Sequence, residues 1–325
     1  MTERKTWKNV LFFGVVLILV LIMLISGLQI LESTVFHNGQ GKNPTIASKT
    51  IERNGKQYYP RQDITVVLVM GIDELGPVKE SEYFQAAGAA DMVALAIFDE
   101  TNFETRILVL NRDSMVTMPV LGLGGKQAGS YFGQLALSHT FGSGLADSCE
   151  NTRKTVSDLL YGLSIDYYVA MNMDAIVILN DAIGGVTVTV TEDFSDIDPT
   201  ITMGEVKLMG QQAINFVRTR KGVADQLNIS RMERHKQYMN GFMTALQEKK
   251  DDVSFFLSAY EQAADYIVTD CSTTVMSDMM QRYAEYPIVE IVSPTGENVM
   301  AEYYEFYLDE AALDELILRL FYAEK

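Results

Sequence analysis

Four short stretches place acids and arginines where a charged ligand could be held. Asp73 stands in MGIDELGP, directly after the apolar run ITVVLVM (Ile64–Met70). Asp91 opens DMVALAIF, and Arg112-Asp113 follow RILVLN. Ligand sites in α/β sheets gather outside strand ends, and two carboxylates there suit a hard, oxygen-seeking ion such as Mg²⁺ or Mn²⁺. Aspartate is also a common turn former, so position alone leaves both readings standing. The fourth stretch, Val206–Lys236, carries seven Lys/Arg against two acids. It holds Arg218-Thr219-Arg220 and then Arg231-x-x-Arg234, and a three-residue spacing puts the second pair on one helix face. Arginine's planar fork suits bidentate phosphate contacts. A solvated helix face is the plainer alternative.

These residues need a frame. Ile64–Met70, Met92–Phe98 and Arg106–Leu110 are short, branched, nearly unbroken apolar runs, as strands covered on both faces are. A helix is expected over Glu150–Leu160, a strand over Tyr167–Met171, a helix over Asp174–Ile183 and a strand over Val186–Val190. Gln211–Arg218 reads as helix, and Ser230 opens another with Glu233 in capping-box register. Helices near 254–265 and 273–285, strands Ile288–Val292 and Tyr303–Leu308, and a helix from Asp309 complete the order. The alternation predicts an α/β domain, a central mixed sheet between helical layers. Residues 122–144 hold seven glycines and are expected as an extended loop over the sheet. No P-loop and no Gly-x-Ser-x-Gly elbow occurs.

The chain is acidic, with 26 Lys/Arg against 43 Asp/Glu and a net charge of −17. That balance argues against nucleic acid as a partner. Asn9–Leu31 contains no charge and as a helix reaches roughly 34 Å, enough to span a bilayer. Arg4, Lys5 and Lys8 precede it, which favours a cytoplasmic N-terminus. The expected layout is an inner tail 1–8, a transmembrane helix 9–31, an extracellular stalk 32–60 and an outer domain 61–325: a single-pass type II protein of the cell membrane. Cys149 and Cys271 could pair outside the cell or remain as two buried thiols. Three histidines stand at no metal-ligand spacing, and His139 reads as packed near the sheet.

MGIDELGP, Asp91, LNRDS, ALSHTFGSG, TVSDLLYGLSIDYYV, AIGGV, QQAINFVRTR and SRMERHKQ, in that order and spacing, resemble the LytR–CpsA–Psr family from about residue 64 to 247. The resemblance implies an α/β/α sandwich with a tunnel for a lipid tail. It implies an envelope phosphotransferase that moves a glycopolymer from a polyprenyl pyrophosphate lipid to peptidoglycan or another envelope acceptor. On it, Asp73 and Asp91 fall on the family's magnesium-binding aspartates. Arg112, Arg218, Arg220 and Arg231 fall on its pyrophosphate-binding arginines, with Arg234 beside them. Arg112, Asp113 and Arg220 become the catalytic set, Asp113 orienting the acceptor hydroxyl or accepting its proton.

Three departures stand out. The family's arginine–serine–aspartate triplet is Ala89-Ala90-Asp91 here, and its lysine before the alanine-rich motif is Gln134. Its aspartate three residues before Arg231 is Asn228, and the glutamine after Arg234 is His235. Asp225 or Lys126 could compensate, and Asn228 can still hydrogen-bond. A hydrogen bond to a charged group is worth about 1.5–3 kcal/mol, or one to two powers of ten in rate. The departures therefore keep a second reading open, a lipid-binding scaffold that has lost turnover. An envelope regulator is a third, although the short inner tail carries no DNA-binding module.

Overall fold

The computed structural model describes residues 50–324 except 54, 83–84, 123–124, 220–233, 235–236, 239–240, 243, 246–247, 249–257, 260, 284–285 and 302. Strand β3 (Ile64–Ile72) is buried along nearly its whole length. Its branched residues favour an extended backbone, and their burial on both faces sets it at the centre of a sheet. Beside it run β4 (Ala90–Asp99) and β5 (Glu104–Leu110), then β8 (Tyr167–Asn172), β11 (Ile267–Thr269) and β12 (Ile288–Val292), in the order β11-β8-β3-β4-β5-β12. The pairs β3–β8 and β5–β12 are parallel, and β3–β4, β4–β5 and β8–β11 are antiparallel.

Alternation divides the core. Val66, Leu68, Met70, Leu95, Ile97 and Leu108 meet helix α1 (Ala146–Leu159) through Cys149 and Val156, and a C-terminal helix, Glu310–Phe321, through Ile317 and Leu320. Val67, Val69, Ala94, Ala96 and Phe98 face the other way, onto Ala175 of α2 (Asp174–Ala182) and Tyr283. Tyr283 closes a helix at Thr273–Tyr283 and stacks on Phe98 with ring centroids 4.5 Å apart. This is a mixed sheet between helices. A satellite core joins the hairpin β9 (Val186–Val190)–β10 (Gly204–Leu208) to α2, to α3 (Gln211–Arg218) and to Tyr238 and Phe242. Two further helices are α4 (Thr273–Tyr283) and α5 (Glu310–Phe321).

Several elements differ from the sequence expectations. Residues 51–60 form β1 (Ile51–Arg53) and β2 (Lys56–Pro60), and β2 pairs with β15 (Tyr322–Glu324). Ile51–Arg53 and Lys56–Pro60, placed in the expected stalk, are thus paired strands. Residues 122–144 are not an extended loop. Gln127–Gln134 form β7, paired in a hairpin with β6 (Met115–Leu121), and Leu135–Phe141 form a 3₁₀ turn. Glycine misleads here because Gly133 serves close packing: a Cβ there would lie 2.3 Å from the Tyr131 ring. A hairpin β13 (Gly296–Met300)–β14 (Tyr304–Leu308) follows the central sheet. Its first strand is exposed throughout and gives no apolar alternation to read. Helix α1 starts four residues before the expected Glu150.

Cys149 and Cys271 are separate buried thiols. Among the described residues no helix is long and apolar enough to cross a membrane. The expected span Asn9–Leu31 lies outside them, as do the start of the helix expected at Ser230 and residues 254–257 and 260 of the helix expected near 254–265.

Candidate functional site

Topology collects one end of four strands. Ile72 ends β3 opposite Ala90 at the start of β4, and it also pairs with Asn172 at the end of β8. Leu110 ends β5 opposite Val93. Asp73, Asp91, Arg112 and Asp113 therefore emerge on the same sheet edge from three strands.

Asp91 is presented by a bulge. Gly71 pairs with Met92 and Ile72 with Ala90, which leaves Asp91 as the extra residue of β4. A bulge bends its strand and re-aims the inserted side chain. Beyond it, the Asp73 N–H donates to the Ala89 carbonyl at 2.9 Å. That close return needs Gly88, where an added Cβ would lie 2.9 Å from the Asp73 carbonyl oxygen. His139 holds the same turn through a 2.8 Å contact between Nδ1 and the Gly88 carbonyl. Burial lowers the His139 pKa below its ordinary 6.5, partly offset by Gly88 and Asp147. The neutral ring then donates from Nδ1–H to Gly88. The Asp73 loop is tied on its far side as well: Asn172 Nδ2 donates to the Gly76 carbonyl at 2.9 Å, and the Gly76 N–H donates to Asp174 at 2.7 Å.

Arg112 pairs with Asp91 through Nη1 and lies 3.4 Å from Asp113 through Nε. Its backbone is fixed by the Ala136 N–H, which donates to the Arg112 carbonyl at 2.9 Å. Asp113 sits in a tight turn, its N–H donating to Asn111 Oδ1 at 3.0 Å. Gln134 Nε2 donates both to Asp113 Oδ1 at 3.1 Å and to the Tyr304 carbonyl at 2.7 Å.

The basic stretch reaches this edge through α3. Ala213, Ile214, Phe216 and Val217 are buried, Phe216 stacks on Phe194 at 5.6 Å, and the remaining face presents Arg218. Arg218 Nη2 lies 3.2 Å from Asp73 Oδ1, both side chains being roughly half exposed. Arg234 has a different place from the one expected. It is 4% exposed, paired with Glu192, donating through Nε to the Phe216 carbonyl at 2.9 Å and through Nη2 to the Thr219 carbonyl. Its guanidinium also lies 5.6 Å from the Phe194 ring centre. Arg234 braces the end of α3 and does not face a phosphate. Arg220, Asn228 and Arg231, with Asp225 and His235, lie outside the described residues. Lys126 does not stand in at this edge for the arginine that Ala89 lacks. It stands at the turn of the β6–β7 hairpin, eight residues from Gln134 and so about 26 Å away along an extended strand.

At one strand end, Arg218 thus pairs with Asp73 and Arg112 stands between Asp91 and Asp113. Residues 33–320 match the family model of the LytR_cpsA_psr family. The chain belongs to that family. It is 23% identical over 328 residues to the Bacillus subtilis polyisoprenyl-teichoic acid–peptidoglycan teichoic acid transferase TagU, covering 98% of this chain and 97% of that one. In fold it is similar to the crystal structure of B. subtilis TagV (TM-score 0.56, 22% identity, 80% of this chain and 96% of that one). A Streptococcus agalactiae protein of known structure gives a TM-score of 0.60 at 20% identity, with 79% and 86% covered.

Within the LytR_cpsA_psr fold, the departures at Ala89 and Gln134 both lie at this edge. Ala89 is the residue whose carbonyl receives the Asp73 N–H. Gln134 keeps an amide donor on Asp113 but brings no positive charge. Sequence reading named Gln134 as a departure and His139 as packed near the sheet but not their roles as struts, and it missed Asn172, because these roles depend on partners 21 to 170 residues away.

Proposed function

We propose that the protein is a membrane-anchored phosphotransferase, attaching a polyprenyl-pyrophosphate-linked glycopolymer to peptidoglycan or another envelope acceptor. One observation carries this reading. Two carboxylates and two arginines from β3, β4, β5 and α3 meet at one strand end, with Arg218 reaching Asp73 across 145 residues. The reaction needs little covalent help from the protein, only positioning and neutralisation of phosphoryl charge. The acceptor hydroxyl oxygen attacks the phosphorus that bears the glycan, and the bond from that phosphorus to the bridging oxygen breaks. Polyprenyl phosphate leaves with the bridging oxygen, and a phosphodiester joins glycan to acceptor. Asp113 accepts the hydroxyl proton. Arg112 and Arg218 turn from their carboxylates to the pyrophosphate, which Arg220 and Arg231 also contact.

Asp73 and Asp91 would hold Mg²⁺ or Mn²⁺, which supplies further charge neutralisation when bound. Their donor chemistry fits, since Mg²⁺ commonly takes one or two carboxylates and completes its shell with phosphate oxygens and water. No group of three or more His, Cys, Asp or Glu that could hold a metal occurs among the described residues, so the donor's phosphates would complete the shell. The uncharged Asn9–Leu31 stretch would hold the domain outside the cell membrane, near its lipid substrate.

The test is metal-dependent release of polyprenyl phosphate by the full-length protein in detergent, given a polyprenyl pyrophosphate oligosaccharide and peptidoglycan. Release that Asp91→Ala abolishes is expected. The scaffold reading rests on Ala89 and Gln134, two lost cations at the site edge, and on Asn228, a lost acid in the sequence. Tight donor binding without release would establish it instead.

A further inference from the structure

One face beside the site carries large apolar side chains in water. Met300, Tyr303 and Tyr304 are 68%, 68% and 62% exposed, and Phe132 on β7 is 55% exposed. Met300 and Tyr304 are direct cross-strand partners in the β13–β14 hairpin. Phe132 and Gln134, two apart on β7, share one face of that strand. Gln134 links the two hairpins to the site, since its amide reaches both the Tyr304 carbonyl and the Asp113 carboxylate. The β13–β14 hairpin is also anchored: Phe306 is 1% exposed, and its N–H donates to the Asp113 carbonyl at 2.9 Å. The aromatic surface therefore begins at Asp113 and is held in place there.

Exposed apolar patches of this kind mark interaction sites. Charge selects the partner. Residues 293–309 contain four acids and no lysine or arginine, so the hairpin repels a pyrophosphate donor and an anionic lipid surface alike. Tyrosine and phenylalanine rings flanked by carboxylates suit a sugar chain, whose C–H faces stack on rings while its hydroxyls donate to the acids. We propose that Phe132, Met300, Tyr303 and Tyr304 form the acceptor platform, stacking on the rings of the glycan that receives the transferred group and leading one hydroxyl to Asp113. This rests on the transferase reading for the identity of the site, but the binding surface is testable without turnover.

The experiment uses the full-length protein in lipid nanodiscs with fluorescently labelled, uncrosslinked peptidoglycan strands. Tyr304→Ala and Phe132→Ala should each weaken strand binding about tenfold, the size expected for losing one central aromatic anchor. Tyr304→Trp, which keeps a ring, should restore binding to within about threefold of the original. Phe103→Ala, an exposed ring in the turn at the opposite end of the sheet, should change nothing. Hydrogen exchange over residues 296–308 should slow on addition of strands. Unchanged strand binding in Tyr304→Ala overturns the proposal. Protection of the hairpin by nanodisc lipid alone, with no further effect of strands, also overturns it and assigns the face to the membrane. Ring-dependent strand binding in a protein that releases no polyprenyl phosphate keeps the platform and removes the transferase reading.

Discussion

Arg234 donates through Nε to the carbonyl of Phe216 at 2.9 Å, within the last turn of the helix that ends at Arg218. One arginine of the basic stretch thus holds the backbone that presents another. The two should separate in experiment. Arg234→Met leaves Glu192 without its buried partner and removes the brace on Thr219. Breaking a buried pair on one side costs about 3–5 kcal/mol, so thermal unfolding should shift down by several degrees. Arg218→Ala removes a half-exposed pair with Asp73 and should leave the melting temperature within about 2 °C, since exposed pairs contribute about 0–1 kcal/mol. Its effect should fall on donor binding. A melting shift in Arg218→Ala as large as in Arg234→Met would contradict this division.

Arg112 joins Asp91 and Asp113, so its replacement disturbs both carboxylates. Arg112→Ala should lower kcat by about 10–100-fold, the worth of one charge-assisted hydrogen bond. Arg112→Lys should recover only part of it, because a point charge cannot span two partners in one plane. Single-turnover release of polyprenyl phosphate measures both. A lysine variant equal to the original would mean that Arg112 acts by charge alone.

Much of this architecture was legible because buried strands carry their own signal. ITVVLVM and IVEIV have no other use for runs of branched residues, and QQAINFVR shows its helix through one apolar face. The acids at strand ends were legible by position. The bulge at Asp91 was not, since it exists only in the register between β3 and β4. Arg234 was misassigned because a buried arginine and a ligand-binding one have the same spacing. Its buried contacts, to Glu192 and to the Phe216 and Thr219 carbonyls, distinguish them. The hairpin β6–β7 was obscured by its glycines and β13 by exposure throughout, while β14 was legible as the strand expected at Tyr303–Leu308.

Ala89 offers a gain-of-function test. It stands where the family resemblance places an arginine, and its backbone meets Asp73. Ala89→Arg adds one cation beside the two carboxylates and should raise the rate of release about tenfold. The side chain leaves from a half-buried position at the start of β4, so the sheet can accommodate it. A variant with native melting temperature and unchanged rate would show that the missing cation is already supplied elsewhere.

His139 predicts a pH dependence. Its ring is 2% exposed, with Nδ1 on the Gly88 carbonyl and Nε2 facing Cys149 Sγ at 3.9 Å. Burial pushes the Cys149 thiol up, so it stays protonated and offers no charge to an imidazolium. The folded His139 therefore has a pKa below the ordinary 6.5, and the unfolded chain binds a proton more readily than the folded one. Stability from this group is complete above that value and is lost as pH falls through it toward the folded pKa. Asp63, held well below the usual carboxylate range chiefly by Arg61, contributes in a separate window, lost only as pH falls below its ordinary 3.8. Urea unfolding at intervals between pH 7.5 and about pH 5 should thus show a decline that His139→Gln flattens. A decline of equal slope in His139→Gln would assign the pH dependence to another group.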